Sequence, residues 1–249
     1  MINLGAIIEA RMGSSRLPGK VILEANNKPL IIHLVNRLKQ SKLLKTIVVA
    51  TTQNKKDDIL CKTLKKNNVL FFRGSEDDVL GRIYLAAKKF KLKNILQVTG
   101  DCPLVDPFIV SQVIKTYENN NFDFVSNANL RTYPIGMDVS VFSFKDLQKC
   151  SYLAKQKYYR EHTTLFFRKK KNLFSHCNLM APSNLHYPNL GLTLDENSDY
   201  LLIKNIFKKF KNKENSFSCL EIIDYLKKNK ELININKRVK RKKLPIIIK

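Results

Sequence analysis

The residue types best suited to chemistry stand together near the start of the sequence, in Ala10-Arg11-Met12-Gly13-Ser14-Ser15-Arg16-Leu17-Pro18-Gly19-Lys20. Gly13 and Gly19 let the backbone approach a ligand closely, and Ser14 and Ser15 add hydroxyl donors. Arg11, Arg16 and Lys20 place three cations around whatever binds. Such a loop suits a triphosphate, whose negative charge must be offset before another anion attacks it. Ala10, Gly13, Ser14 and Ser15 are therefore candidate nucleotide contacts, and Arg11, Arg16 and Lys20 candidate catalytic cations. It is not a Walker A loop, because Gly13 and Gly19 are six apart and Val21 follows the lysine.

A second constellation is the turn Gly100-Asp101-Cys102-Pro103. Asp101 closes an expected strand and is placed to hold Mg²⁺ at the ligand edge of a sheet. Its alternative is to cap the helix opening near Pro107, a task for which Asp106 is better spaced. Gln97, just before this turn, is a candidate contact to nucleotide or acceptor. The five cysteines (Cys61, Cys102, Cys150, Cys177, Cys219) form no C-x-x-C pair, and His33, His162, His176 and His186 form no ligand set.

These loops need elements to hold them. Short β-rich runs at Leu4–Glu9, Thr46–Thr51, Val69–Phe72, Asn94–Val98 and Phe122–Ser126 alternate with amphipathic stretches at Pro29–Gln40, Asp57–Lys66, Glu76–Phe90 and Pro107–Glu118. Alternation of this kind builds a mostly parallel, Rossmann-like α/β sheet flanked by helices, whose ligands bind beyond the carboxyl ends of the strands. Further strands are expected at Asp138–Phe144, Asn172–Leu179 and Asn189–Leu194, and helices at Lys155–Lys169, Asn197–Phe210 and Ser218–Lys230, the last with Ser218 and Glu221 at capping-box spacing. The expected organisation is one catalytic unit over residues 1–236, with a small arm within about 131–190, then a basic tail over 237–249.

A chain of 249 residues buries an adequate core without disulfides. With no apolar run of about 18 residues and no signal-like start, a cytoplasmic protein without a membrane span is expected. The net charge of +24 raises nucleic acid as a partner, but the excess is mostly Lys, and residues 204 to 249 alone carry 15 Lys+Arg against 4 Asp+Glu. No recognition-helix or RNP pattern accompanies it, so a solvated basic tail is the reading adopted over nucleic-acid binding. A glycosyltransferase of similar fold is the other rival; Asp101 and Asp106 are too far apart for its Asp-x-Asp motif.

Several strings in order resemble the cytidylyltransferases that make CMP-activated acidic sugars, within them the spore coat polysaccharide biosynthesis protein F type. They are the opening loop, Val48-Val49-Ala50-Thr51-Thr52, Phe72-Arg73-Gly74-Ser75-Glu76-Asp77-Asp78-Val79-Leu80, Thr99-Gly100-Asp101-Cys102-Pro103-Leu104-Val105-Asp106-Pro107, Arg131-Thr132-Tyr133-Pro134-Ile135-Gly136-Met137-Asp138-Val139, Arg160-Glu161-His162-Thr163 and Leu192-Thr193-Leu194-Asp195. The resemblance covers roughly Leu4 to Phe210. It implies transfer of CMP from CTP to an acidic sugar or related acceptor with release of pyrophosphate, and Mg²⁺ as cofactor; the arm within about 131–190 is a candidate for acceptor specificity or for the contact of a homodimer. It implies Asp195 as a second metal carboxylate, with capping of the next helix as its alternative, and Thr51, Thr52 and Ser75 as lining of the base and ribose pocket, with an N-cap as the alternative for Ser75. Arg160 and His162 resemble an acceptor-side string, and Arg131 with Tyr133 is a second candidate for an acidic acceptor; structural roles compete for all four. Where sialic acid enzymes show a second glycine and a lysine, this loop has Met12 and Ser15-Arg16, so sialic acid itself is not implied.

Overall fold

The computed structural model describes residues 3–241. In chain order its elements are β1 Leu4–Glu9, β2 Glu24–Ala25, β3 Lys28–Pro29, α1 Leu30–Leu38, β4 Thr46–Thr52, α2 Asp58–Lys66, β5 Leu70–Gly74, α3 Val79–Lys89, β6 Asn94–Thr99, α4 Pro107–Glu118, β7 Phe124–Ser126, β8 Ser140–Ser143, α5 Phe144–Leu153, α6 Lys157–Glu161, α7 Leu165–Lys169, β9 His176–Asn178, α8 Asn197–Lys209, α9 Cys219–Lys228 and α10 Lys230–Asn234. Seven strands form one sheet in the order β5-β4-β1-β6-β8-β7-β9, and only β8 runs against its neighbours. The mostly parallel α/β sheet expected from the alternation is present.

Strand β1 shows why. Its apolar run Leu4-Gly5-Ala6-Ile7-Ile8 is buried on both faces, as a central parallel strand requires. Ala6 and Ile8 join the core under α1, α2 and α4, while Ile7 joins the core under α3, α5 and α7. Chain order runs from β1 outward to β4 and β5, then returns to β6 on the other side of β1. That reversal opens a crevice at the carboxyl ends of β1 and β6, between the loop 10–20 and the Asp101 turn.

Several elements differ from the sequence expectation. The single helix expected over Lys155–Lys169 breaks into α6 and α7, because His162 takes an extended conformation (φ −127°, ψ 96°). The strand expected at Asn189–Leu194 is extended chain outside the main sheet. It is held by one bridge between Ile135 and Gly191 and by hydrogen bonds to Ile135 and Asp101. The strand expected over Asn172–Leu179 shrinks to three residues on the sheet edge. Helix α5 was not anticipated. It follows β8 without a loop and is capped by Ser143, whose hydroxyl accepts from the Asp146 N–H. Ser218 and Glu221 form the expected capping box, and Asp106 caps α4. Within the described residues no helix is long and apolar enough to cross a membrane. The last part of the basic tail, 242–249, lies outside the described residues.

Candidate active site

The loop after β1 is built on two anchors. The Asp57 carboxylate accepts the Met12 N–H at 2.6 Å and the Thr52 N–H at 3.2 Å, tying the loop to the end of β4. The Met12 carbonyl then accepts from Ser14 N (2.9 Å) and Gly19 N (3.0 Å), closing the loop on itself. Gly19 sits at φ +70°, where a side chain would be strained, and this turn aims Lys20 inward. The Lys20 ammonium donates to the Leu194 carbonyl at 2.5 Å and lies 3.4 Å from Asp101 and 3.5 Å from Asp195.

Asp101 and Asp195, 94 positions apart in sequence, are joined through backbone. The Leu194 N–H donates to the Asp101 carbonyl at 2.8 Å, and the Thr193 hydroxyl to the same oxygen at 3.1 Å. Upstream, Leu192 N donates to Ile135 O at 2.7 Å, beside Gly136 at φ +105°, where an added Cβ would run into the Leu192 carbonyl. Asp195 faces three cations: Arg16 at 2.8 Å, Arg241 at 3.2 Å and Lys20. It does not cap α8. Glu196 does, in a capping box with Asp199.

The crevice has two connected lobes. A smaller one of about 420 Å³ is lined by Ala10, Arg11, Gly13, Ser14, Ser15, Arg16 and Lys20, with Arg82 at its wall. A larger one of about 840 Å³ is lined by Gln97, Arg131, Arg168 and Arg241 among others. Glu9, Arg16, Thr99, Asp101, His162 and Asp195 line both. Of the loop residues picked out in the sequence, all but Gly19 therefore line the smaller lobe, and Gln97, Arg131 and His162 reach the larger. Arg131 is held there by a two-pronged pair with Asp138 at 2.7 Å on each side.

Other candidates are placed elsewhere. Thr51 and Thr52 are wholly buried and line neither lobe, Thr52 being engaged by Asp57. Ser75 accepts the Asp78 N–H at 3.1 Å, while Asp78 itself caps α3. Tyr133 is a core residue whose hydroxyl donates to the Met180 carbonyl, because the Pro134–Gly136 turn directs its ring under α8 and α9. Arg160 donates to the Ser151 carbonyl at 2.7 Å and pairs with Asp78, clamping α6 to α3 and away from the crevice. His33 is structural, its Nε2 bonded to the Ala25 carbonyl and its ring stacked on Phe207.

With this geometry in view, the likeness to known proteins is specific. The family model described as cytidylyltransferase matches residues 5–243. The chain belongs to the cytidylyltransferase family. It is 34% identical over 227 residues to the spore coat polysaccharide biosynthesis protein SpsF of Bacillus subtilis, covering 90% of this chain and 93% of that one. It is 35% identical over 128 residues, 49% of this chain and 51% of the other, to an 8-amino-3,8-dideoxy-manno-octulosonate cytidylyltransferase of Shewanella sp.. A solved cytidylyltransferase from Leptospira borgpetersenii superposes with a TM-score of 0.89 at 31% identity, covering 98% of this chain and all of that one.

Among the residues of this cytidylyltransferase's crevice that sequence reasoning passed over are three charged ones. Arg241 hid in the basic tail and Arg168 in a run of lysines; Arg168 uses one N–H on the Ala128 carbonyl at 2.8 Å and turns toward the larger lobe. Glu9 is the third. Its place at the end of β1, next to the loop, was the available signal. Its carboxylate accepts from the Thr163 hydroxyl at 3.1 Å where both lobes meet. Burial pushes its carboxyl up to about 7, against the opposing charge of Arg82. A raised carboxyl contributes stability that is complete below its ordinary value of 4.5 and is lost as pH rises through about 7. Relative to Glu9→Gln, wild type is therefore expected to lose at most about 3 kcal/mol across that window. Paired thermal melts at stepped pH measure this, and a difference flat with pH refutes it.

Proposed function

We propose that this cytidylyltransferase transfers CMP from CTP to an acidic sugar, releasing pyrophosphate, with Mg²⁺ bound by Asp101 and Asp195. The observation that carries the reading is the joining of two arginine-bearing lobes across one pair of carboxylates. A triphosphate fits the smaller lobe, where Arg16 and Lys20 meet its phosphates. An acceptor bearing a carboxylate fits the larger, faced by Arg131, Arg168 and His162. The octulosonate of the Shewanella relative's name is such an acid. An activated sugar is also what polysaccharide assembly of the kind in the SpsF name consumes.

The donor chemistry of the site suits Mg²⁺. Two carboxylates within 3.5 Å of one ammonium share a point where a cation already stands, and Mg²⁺ takes one or two carboxylates together with phosphate oxygens. When bound, the ion offsets charge on the phosphates. The chain's own residues do the rest. The acceptor hydroxyl oxygen attacks the α-phosphorus and gives up its proton to solvent water, the bond from the α-phosphorus to the oxygen bridging it to the β-phosphate breaks, and pyrophosphate leaves into the loop. Arg16 and Lys20 stabilise the charge gathering there, and the larger lobe orients the acceptor for attack, so catalysis is mainly positioning and charge neutralisation.

With Mg²⁺ present, CTP is expected to raise the melting temperature more than ATP, GTP or UTP, since a ligand bound only by the folded state stabilises it by mass action. Equal shifts for all four would end the case for cytosine selectivity. Pyrophosphate release across a panel of sugar acids and neutral sugars then tests the acceptor class, and turnover confined to neutral sugars overturns it.

A further inference from the structure

We propose that the C-terminal segment Asn236–Arg241 is a wall of the active site, with Arg241 a positioning residue that holds Asp195 ready for the metal-bound triphosphate. This rests on the assignment of Asp195 to the metal. The segment reaches the crevice by specific bonds. Asn236 is buried and donates to the Gly191 carbonyl at 2.9 Å and to Asp199 Oδ1 at 2.7 Å. Val239 N then donates to the Asn236 carbonyl at 3.0 Å, turning the chain back toward the phosphate loop. The Lys240 carbonyl accepts from Arg16 Nη1 at 3.0 Å. Arg241 ends the described chain with two donors on Asp199, both at 2.7 Å, and Nη1 also 3.2 Å from Asp195 Oδ2.

Asp199 is the fixed point. It is wholly buried and also accepts the backbone N–H groups of Asp195 (2.9 Å) and Glu196 (3.0 Å). Its two oxygens are met inside the fold by the Arg241 guanidinium and the Asn236 amide, so the buried carboxylate is fully partnered. One buried carboxylate thus fixes both the backbone of Asp195 and the guanidinium beside its side chain. The two oxygens of Asp195 are divided accordingly: Oδ2 faces Arg241, while Oδ1 faces Arg16 at 2.8 Å and Lys20 at 3.5 Å. A triphosphate draws Arg16 and Lys20 onto its own oxygens. Arg241, anchored on Asp199, stays behind, so Asp195 keeps its orientation while Oδ1 becomes free for the ion. Outer-shell partners of this kind set the geometry of metal carboxylates.

Three variants test this: Arg241→Ala, Arg241→Lys and Gly191→Ala. The last adds a methyl group that meets the flexible tip of Arg241, displacing the guanidinium while leaving Asp195 and Asp199 in the chain. The measurements are thermal melts to confirm folding at the assay temperature, calorimetric binding of CTP against Mg²⁺ concentration, and pyrophosphate release over the same range. Arg241→Ala is expected to raise the Mg²⁺ needed both for CTP binding and for half-maximal turnover by about 10- to 100-fold. Gly191→Ala should move both in the same direction, and Arg241→Lys should recover part of the loss. Folded Arg241→Ala and Gly191→Ala proteins with the Mg²⁺ dependence of wild type overturn the positioning role. If Arg241→Ala does not fold, the other two variants decide by the same readouts. A wild-type protein that binds no CTP with Mg²⁺ overturns the assigned reaction itself, an outcome separate from unchanged variants of a wild type that does bind.

Discussion

Lys20→Ala is expected to lower turnover by roughly 10²–10³-fold, the usual cost of removing one preorganised donor from developing charge. The structure gives the reason. Lys20 lines the smaller lobe, its side chain 13% exposed, at the turn that Gly19 forces, within 3.5 Å of both carboxylates. Among the described residues it is the cation paired with Asp101. Its loss also removes the ammonium that pairs with both Asp101 and Asp195, leaving Asp195 to Arg16 and Arg241, so some loss of stability accompanies the loss of rate. Melting curves separate the two effects: the variant should be folded at the assay temperature and still slow. Near wild-type turnover in Lys20→Ala, and likewise in Arg16→Ala, would mean the loop does not hold the phosphates.

The second large effect belongs to Asp101 and Asp195. Asparagine keeps the size and hydrogen bonding of each but removes a charge, so each change is expected to weaken Mg²⁺ dependence severely while the fold persists. Backbone bonds make persistence reasonable, because Leu194 N and Thr193 Oγ1 bind the Asp101 carbonyl rather than its side chain. Two residues serving one ion act as a unit, so the double variant should be little worse than the more damaged single. Turnover against Mg²⁺ for both singles and the double is the measurement. Unchanged Mg²⁺ dependence in Asp195→Asn would leave that residue as the partner of Arg16 and Arg241 alone. Fully additive losses would argue for two separate roles.

What the sequence determined by itself was local and periodic. The apolar run of β1, the amphipathic stripes of α1 to α4, the cap at Asp106 and the box at Ser218 depend on neighbours a few residues away, so they were legible. The loop from Ala10 to Lys20 was legible for the same reason, since its glycines and cations are contiguous. Tertiary structure alone decided which side chains face the crevice. Thr51, Thr52 and Tyr133 carry suitable groups in suitable strings, yet the pleat and the packing of α8 and α9 turn them inward. Arg160 and His162 are two positions apart; the break between α6 and α7 sends the first to Asp78 and the second to the site. Asp195 sits beside Asp101 through an extended segment with no strand of its own, an arrangement periodicity cannot register. The hardest to foresee was Arg241. In sequence it is one cation in a basic run, and its pairs with buried Asp199 and with Asp195 distinguish it from the exposed Lys237, Arg238 and Lys240 before it.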